Sequence, residues 1–452
     1  MPIDMSKHFS TGALLRYTLP TMLMMVFTSL YTIVDGFFVS NFAGKTSLAA
    51  VNLIMPAIMI LASVGMMVGT GGSALVAKTL GEGDGGRARR WFTLLAAFGF
   101  CIGTVLAIAG CFVMEPVAAA LGGTGQLLAD AVLYGRFMMI SLPFFILQYA
   151  FQSFFVTAGK PKLGFAVIVA AGVTNIVLDF LFVGVFGWGL PGAAIATNIG
   201  EVIGGVAPVA YFMRKRTAQL WFERPHLRLR VIGKACVNGS SEMVTNIAMS
   251  LVSMLYNLQL LRYIGEDGVA AYGVIMYTAM IFAALFMGYA IGSSPLMSYQ
   301  YGAKNYTEMR SLLMKSLGLV GVGGVLMFLA GQAFAGPLSQ VFVGYDAALL
   351  ELTTHAYRIY ALCFLFMGFA IYSSAFFTAL NNGLVSALIS FLRTLVFEVG
   401  AVLLLPLILG LDGIWLSVTV AEVAACIVAA IFIVALAGTY GYGKKGVMRK
   451  GR

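Results

Sequence analysis

Long apolar runs separated by short polar segments dominate the chain. Runs of about 20 residues, enough for a helix to cross roughly 30 Å of hydrocarbon, recur twelve times. We predict membrane-spanning helices at 14–40, 50–77, 91–114, 132–156, 163–185, 190–213, 234–261, 269–295, 313–335, 356–380, 384–409 and 413–436. The connectors are too short for a separate soluble domain. The pattern therefore predicts an all-α membrane protein with twelve transmembrane helices.

The second half of this pattern repeats the first. A shift of 221 residues aligns 22–81 with 243–302 at 16 identities in 60 positions, where about one in ten would be expected from so biased a composition. The same shift places Glu201 on Glu422. Because six is an even number, both copies enter the membrane from the same side, and their symmetry axis runs along the membrane normal. We predict two pseudo-symmetric six-helix bundles with a central cavity between them.

The connectors then divide the chain. We predict an N-terminal lobe at 1–213, a basic cytoplasmic linker at 214–233, a C-terminal lobe at 234–436 and a basic cytoplasmic tail at 437–452. The linker reads as a solvated loop that touches anionic lipid. No cleavable signal peptide is evident, because the first apolar run is too long for one.

Composition supports the membrane assignment, since 60% of the residues are hydrophobic and 10% are charged. The net charge of +10 would be compatible with nucleic-acid binding, but the basic residues cluster in the even-numbered connectors. These include Arg87, Arg89, Arg90, Lys160, Lys162, Lys304 and Arg310. The positive-inside rule therefore predicts a multi-pass protein of the cell membrane with both termini in the cytoplasm, in contact with membrane lipids and not with nucleic acid.

Enzyme chemistry finds little support in the sequence. The spans contain no pairing of a nucleophile with a base, and the three histidines lie outside them. The five cysteines show no CxxC spacing, so neither a disulfide framework nor a metal knuckle is indicated. We expect no enzymatic activity and no cofactor.

A carboxylate interrupts the first apolar run at Asp35. Even on lenient insertion scales an aspartate near the centre of a membrane helix costs about 2.5–3.5 kcal/mol, so such residues usually serve ions, protons or partners. The alternative is a structural carboxylate near the membrane edge.

The fifth and sixth runs supply polar partners. Asn175 and Asp179 are four residues apart and share one helix face. Counting back from the outer ends of the spans puts Asp35, Asp179 and Thr197 at a similar depth, roughly 10 Å below the outer surface. Together these oxygens could hold a hard cation or share a proton; separate structural hydrogen bonds are the alternative.

Four further charges lie within the spans. Glu201 follows Thr197 by one turn and Glu422 is its repeat mate, so both could line the cavity. Arg393 and Glu398 are also deep, and mutual neutralisation, with Glu422 as a possible third member, is the simplest explanation because buried charges need partners.

Along its whole length the chain resembles the multidrug and toxic compound extrusion family. The similar segments are Val34-Asp-Gly-Phe-Phe-Val39, Thr174-Asn-Ile-Val-Leu-Asp179 and Gly192-Ala-Ala-Ile-Ala-Thr197. The resemblance implies that Asp35, Asn175, Asp179 and Thr197 bind Na⁺ or H⁺ in the N-terminal lobe and couple it to drug export. It also implies a supporting role for Tyr31 and Tyr134. Some members carry an acidic residue in the seventh span, which would fall near Met249 or Ser250 here, whereas Glu242 lies about two turns too early. This chain is therefore similar to the branch with N-lobe coupling.

The expected function is secondary active antiport: export of amphipathic, often cationic compounds in exchange for H⁺ or Na⁺ by alternating access. We expect a monomer. The alternative is a flippase or exporter of a lipid-linked or other amphipathic metabolite. Two close carboxylates favour proton exchange, whereas Asn175 and Thr197 add neutral oxygens that a bare Na⁺ requires. We therefore expect a site that accepts either ion in competition.

Overall fold

The computed structural model describes residues 5–214 and 219–443. It contains twelve helices long and apolar enough to cross a membrane within this part of the chain. We number them α1 Thr11–Ala43, α2 Thr46–Gly81, α3 Gly85–Ala120, α4 Gly125–Thr157, α5 Pro161–Val185, α6 Gly189–Phe212, α7 Leu229–Ile264, α8 Glu266–Gly302, α9 Tyr306–Val343, α10 Ala347–Ala379, α11 Gly383–Leu409 and α12 Leu411–Ala435. The predicted all-α, twelve-helix membrane fold is confirmed. Part of the predicted linker (215–218) and of the predicted tail (444–452) lies outside the described residues.

Several helices are longer than the predicted spans. The apolar run at 91–114 belongs to a helix that begins at Gly85, and the run at 313–335 to one that begins at Tyr306. Both helices start with a side-chain cap: Asp84 accepts a hydrogen bond from the Arg87 amide, and Asn305 accepts one from the Glu308 amide. Such caps satisfy free amides at helix starts, so these helices continue past the apolar residues that mark the membrane.

The two halves, α1–α6 and α7–α12, meet through glycines on equivalent helices. Gly71 on α2 packs against Gly239 on α7, while Gly292 on α8 packs against Thr18 on α1. Gly292 is the repeat mate of Gly71, and Gly239 is the mate of Thr18. The same contact is thus made twice, as a pseudo-twofold axis requires.

A second pair of contacts follows the same symmetry. Gly81 on α2 packs against Tyr299 on α8, and its mate Gly302 packs against Lys78, which is the mate of Tyr299. In the described part of the chain, the hydrogen bonds and glycine contacts between the halves run from one end of these helices to about their middle, where Asn246 meets Met66. That end also carries the first and last described residues and the even-numbered connectors. The halves are therefore closed against each other there.

The segment before α1 strengthens this closed end. Met5 and Phe9 are buried against the C-terminal half. The Gln300 side chain donates to the Met5 carbonyl at 2.8 Å, and Lys315 donates to the Phe9 carbonyl at 2.6 Å. Glu308 accepts from the Phe9 amide at 3.1 Å and pairs with His8 at 2.5 Å. We call residues 5–10 the N-terminal strap; it leads into one half and is bound by the other.

Part of the linker is packed and not merely solvated. Phe222 stacks on Phe92 of α3 with ring centroids 5.1 Å apart, and Leu220 is buried. Glu223 forms an ion pair with Arg89 at 2.7 Å. Residues 224–230 are exposed, so this later portion has the solvated character expected from its charge.

Candidate functional site

The two aspartates of the N-terminal half lie within one turn of the point where an α-helix changes into a π-helix. In α1 the α-helical part ends at Phe38 and Val39–Ala43 is π-helical; in α5 the α-helical part ends at Asp179 and Phe180–Val185 is π-helical. π-helical turns are rare and frequently mark functional sites. Both carboxylates therefore lie at a local change of backbone geometry, towards the end of the bundle opposite the closed one.

The structure brings the four predicted cation-site residues together. The carboxyl groups of Asp35 and Asp179 lie close enough to interact electrostatically. The amide of Asn175 is 3.4 Å from the hydroxyl of Thr197, and Thr197 also lies beside Asp35. Exposure is 7% for Asp35, 3% for Asn175 and 0% for Asp179, so the cluster is removed from bulk solvent.

Several oxygen atoms of this cluster receive no hydrogen bond from the described residues. Asp35 Oδ1, both carboxylate oxygens of Asp179 and Asn175 Oδ1 accept no hydrogen bond from the described residues. Thr197 donates its hydroxyl to the Ala193 carbonyl at 3.0 Å, so that hydrogen is already used. Buried acceptors without donors are costly. A bound cation would give these oxygens a positive partner, and an added proton would give them a hydrogen-bond donor. This set of oxygens therefore fits either ion.

Two tyrosines border the cluster. Tyr134 on α4 is 1% exposed and lies beside Thr197, with Asp35 and Asp179 in electrostatic range. Tyr31 precedes Asp35 by one turn of α1 and is within electrostatic range of it. The structure thus places both tyrosines beside the cluster, where the family resemblance implied them.

Glu201 lies deeper in the N-terminal half and is 6% exposed. Its carboxyl oxygen Oε2 is 2.5 Å from the Ser141 hydroxyl on α4. It is therefore enclosed between helices in this conformation and does not line an open cavity. Ser141 was not among the residues that the sequence pointed to, because a single serine in an apolar run carries no distinctive pattern.

In the C-terminal half, two buried charged side chains form an ion pair. Arg393 forms a bidentate pair with Glu422: Nη2 donates to Oε1 at 2.6 Å, and Nε lies 2.9 and 3.0 Å from the two carboxylate oxygens. Side-chain exposure is 18% for Arg393 and 4% for Glu422. Such paired geometry is the strong form of an ion pair.

Two more carboxylates surround this pair. Glu398, at the end of the π-helical segment Leu392–Glu398, lies within electrostatic range of Arg393 and Glu422, and Glu242 on α7 lies within range of Arg393. The ion pair itself joins Arg393 to Glu422, whereas the sequence suggested Glu398 as the first partner. A wider π turn changes the direction of the side chains that follow it, which helical spacing alone does not anticipate.

A conventional metal centre is not indicated. The described residues contain no group of three or more histidine, cysteine, aspartate or glutamate side chains that could hold a metal ion. The N-lobe cluster instead combines two carboxylates with one amide and one hydroxyl. That set suits a monovalent hard cation or a proton better than a transition metal.

Comparison with known proteins places the chain in a family. Residues 20–181 and 243–403 match the MatE family. The two matches lie in different halves, as the internal repeat predicts, and together they cover more than two thirds of the chain.

Relatives and solved structures span nearly the whole chain. The multidrug export protein MepA of Staphylococcus saprophyticus is 25% identical over 430 residues, which are 94% of this chain and 93% of that protein. MepA of Staphylococcus aureus strain MRSA252 is 23% identical over 427 residues, again 94% and 93% of the two chains. A crystal structure of MATE in complex with MaL6 has a TM-score of 0.90 at 21% identity and covers 95% of this chain and 97% of its own.

An outward-facing structure of a multidrug resistance MATE family transporter of the MOP superfamily has a TM-score of 0.87 at 22% identity, over 95% of this chain and 96% of that one. At these identities the structures show the two-lobe fold alone. The family assignment rests on the sequence matches in both halves. The chain therefore belongs to the MatE family, the multidrug and toxic compound extrusion transporters that its sequence resembles.

Proposed function

We propose that this protein is a secondary active antiporter of the cell membrane that exports amphipathic, often cationic compounds in exchange for H⁺ or Na⁺. The names of the MepA relatives, multidrug export proteins, support the substrate class. The substrate would enter between the halves, and the bound ion would bias which end is closed. The protein would work as a monomer surrounded by lipid.

The observation that carries the ion coupling is the set of donor-less oxygens around Asp35 and Asp179. Two ionised carboxylates that lie close together repel each other, and burial increases the cost. A shared proton removes one charge, whereas a cation between them compensates both. We therefore assign the cluster to H⁺ and Na⁺ in competition, with Asn175 and Thr197 as neutral ligands for Na⁺ and with Tyr31 and Tyr134 as neighbours that shape the site.

The direction of transport follows from charge. The end at which the halves are closed carries basic connectors, including Arg89 and Lys160, so the positive-inside rule assigns it to the cytoplasm. The structure would then represent the state closed to the cytoplasm. In that state the Asp35 cluster lies towards the outside, where an inward ion gradient can load it.

The competing function, transport of a lipid-linked pyrophosphate, has less support. Such a substrate needs basic groups facing the cavity. Arg393, the basic residue that the sequence places deep in a span, is already held by Glu422. A negative substrate would have to displace that carboxylate and approach the other acidic side chains around it.

Export from proteoliposomes under separately imposed Na⁺ and proton gradients tests the proposal. Asp35→Asn keeps the side-chain volume but removes the charge, so we expect gradient-driven export to fall at least tenfold at matched protein amounts. Asp267→Asn, on the exposed start of α8, is the matched control and should export at the wild-type rate. Wild-type export by Asp35→Asn under both gradients would reject the assigned coupling role.

A further inference from the structure

A chain of buried polar groups connects α4 to α6 next to the cation cluster. Glu201 Oε2 lies 2.5 Å from Ser141 Oγ, and Ser141 Oγ lies 2.7 Å from Asn198 Oδ1. The Asn198 amide nitrogen continues the chain to the Phe137 carbonyl at 2.8 Å. Ser141 is fully buried and Glu201 nearly so. Each contact is short enough that a hydrogen atom has to lie between its two heavy atoms.

The far end of this chain fixes its direction. The Phe137 carbonyl can only accept, so Asn198 must present its NH₂ group to it, and the orientation of the amide is set. Asn198 Oδ1 then faces Ser141 and needs a donor. The Ser141 hydroxyl has a single hydrogen, and its other possible acceptor is the Met138 carbonyl at the longer distance of 3.2 Å.

Counting hydrogens then determines the state of Glu201. An ionised carboxylate only accepts, so Glu201 Oε2 and Asn198 Oδ1 would compete for one serine hydrogen, and one short oxygen–oxygen contact would have none. A protonated Glu201 donates to Ser141 Oγ, Ser141 donates to Asn198, and Asn198 donates to Phe137. Every contact in the chain then has its own hydrogen.

The surroundings of Glu201 agree with this count. Among the residues that the structure describes, the titratable or charged groups in electrostatic range are Asp35 and Tyr31 on α1, and Tyr134 and Tyr149 on α4. None of these groups carries positive charge, and Asp35 would add repulsion. A buried carboxylate without a cationic partner is expensive in a membrane protein, whereas a neutral carboxylic acid is not.

We propose that Glu201 is a proton-binding site, occupied in the conformation described here and distinct from the Asp35–Asp179 pair. The bound proton closes the hydrogen-bonded chain that ties α4 to α6. Loss of the proton would leave two acceptors facing one donor and would loosen that contact. The inference goes beyond the proposed function, because it holds even if the coupling ion binds elsewhere.

Infrared spectroscopy of the purified full-length protein in lipid at neutral pH tests the site directly. A protonated carboxylic acid has a C=O stretching band that a carboxylate and an amide both lack. We expect one such band to disappear in Glu201→Gln and to persist in Asp35→Asn and in Asp179→Asn. If a folded Glu201→Gln protein shows the wild-type bands in this region, Glu201 is ionised and the proposal fails.

Two further measurements test the proposal independently of the loss of the band in Glu201→Gln. Glutamine can donate to Ser141 as the protonated acid does, so Glu201→Gln should unfold at the wild-type temperature; a clear loss of thermal stability would contradict a neutral donor at this position. Ser141→Ala removes the acceptor but keeps the carboxyl group, so the Glu201 band should shift in frequency. An unshifted set of carboxylic acid bands in Ser141→Ala would overturn the proposal independently of the glutamine variant.

Discussion

The two halves share a helical scaffold but treat their buried acids in opposite ways. Glu201 and Glu422 are repeat mates; the first is held by a serine hydroxyl and the second by the guanidinium of Arg393. Equivalent helix positions therefore carry the same carboxyl group with different partners. The partner, and not the fold, decides whether an intramembrane acid is a neutralised structural element or a group free to take up an ion.

The cluster around Asp35 and Asp179 that we propose as the cation site is confined to one half. The repeat mates of Asp35 and Thr197 are Tyr256 and Val418. Gly159 and Asn381 have left-handed backbones and occupy equivalent places just before α5 and α11. Asp179 lies as far after Gly159 as Ala401 lies after Asn381, so Ala401 is its repeat mate. The C-terminal half thus has no carboxylate at these positions. The two lobes repeat the same helices, but the oxygen-rich set around Asp35 and Asp179 belongs to the N-terminal lobe.

The largest expected effect comes from breaking the neutralised pair. Arg393→Met leaves Glu422 buried without its cation, and removal of one partner of a buried pair typically costs about 3–5 kcal/mol. Thermal unfolding in detergent measures the loss. The double variant Arg393→Met with Glu422→Leu is the matched control and should recover most of it. A single variant as stable as the wild type would show that the pair is not what neutralises this half.

A smaller effect is expected at the interface between the halves, where the mates Gly239 and Thr18 differ. A Cβ on Gly239 would collide with the Met67 carbonyl of α2, so Gly239→Thr should destabilise the closed end by about 1–3 kcal/mol through overpacking. Gly233→Thr on the same helix meets nothing nearby and serves as the control. Equal unfolding temperatures for the two variants would contradict the close packing.

Neutralising an acid in the N-terminal half should stabilise the protein, whereas Arg393→Met should destabilise it. At alkaline pH without Na⁺, Asp35 and Asp179 both tend to ionise and repel each other. Even in bulk water, two like unit charges about 4 Å apart repel by about 1 kcal/mol. Asp179→Asn should therefore raise the unfolding temperature under these conditions, and the gain should shrink as Na⁺ is added. A loss of stability comparable to that of Arg393→Met would mean that Asp179 has a stabilising partner.

The smallest effect concerns the N-terminal strap. The His8 side chain is 67% exposed in its pair with Glu308, so solvent screening keeps the contribution of this ion pair below about 1 kcal/mol. Glu308→Gln retains an acceptor for the Phe9 amide and should shift the unfolding temperature only slightly, as should the exposed control Glu351→Gln. A large shift would show that the strap depends on the charge of Glu308.

Much of this architecture could be predicted from the sequence. The fold could be predicted from the twelve apolar runs and their internal repeat, because hydrocarbon thickness sets the length of a spanning helix. The convergence of Asp35, Asn175, Asp179 and Thr197 followed from depth and from the spacing of four residues within one helix. Charged residues in apolar runs are conspicuous, and this made the candidate site visible.

Contacts that depend on helix rotation could not be predicted in the same way. The Ser141–Asn198 contact joins neutral residues 57 positions apart, and Phe9 meets Glu308 across 299 positions. The π-helical segments that follow Asp179 and contain Arg393 also change side-chain directions in ways that regular spacing does not show. These features depend on tertiary packing, which the order of apolar and polar residues leaves undetermined.

The most direct test of the central claim is Na⁺ binding to the purified protein from mildly acidic to mildly alkaline pH, in the wild type, in Asp179→Asn and in the exposed control Asp267→Asn. If H⁺ and Na⁺ compete for the oxygens of Asp35 and Asp179, Na⁺ affinity should rise with pH in the wild type and in the control, and it should be strongly reduced in Asp179→Asn. A Na⁺ affinity that does not change with pH, or that survives Asp179→Asn, would place the ion outside the N-lobe cluster and contradict the account.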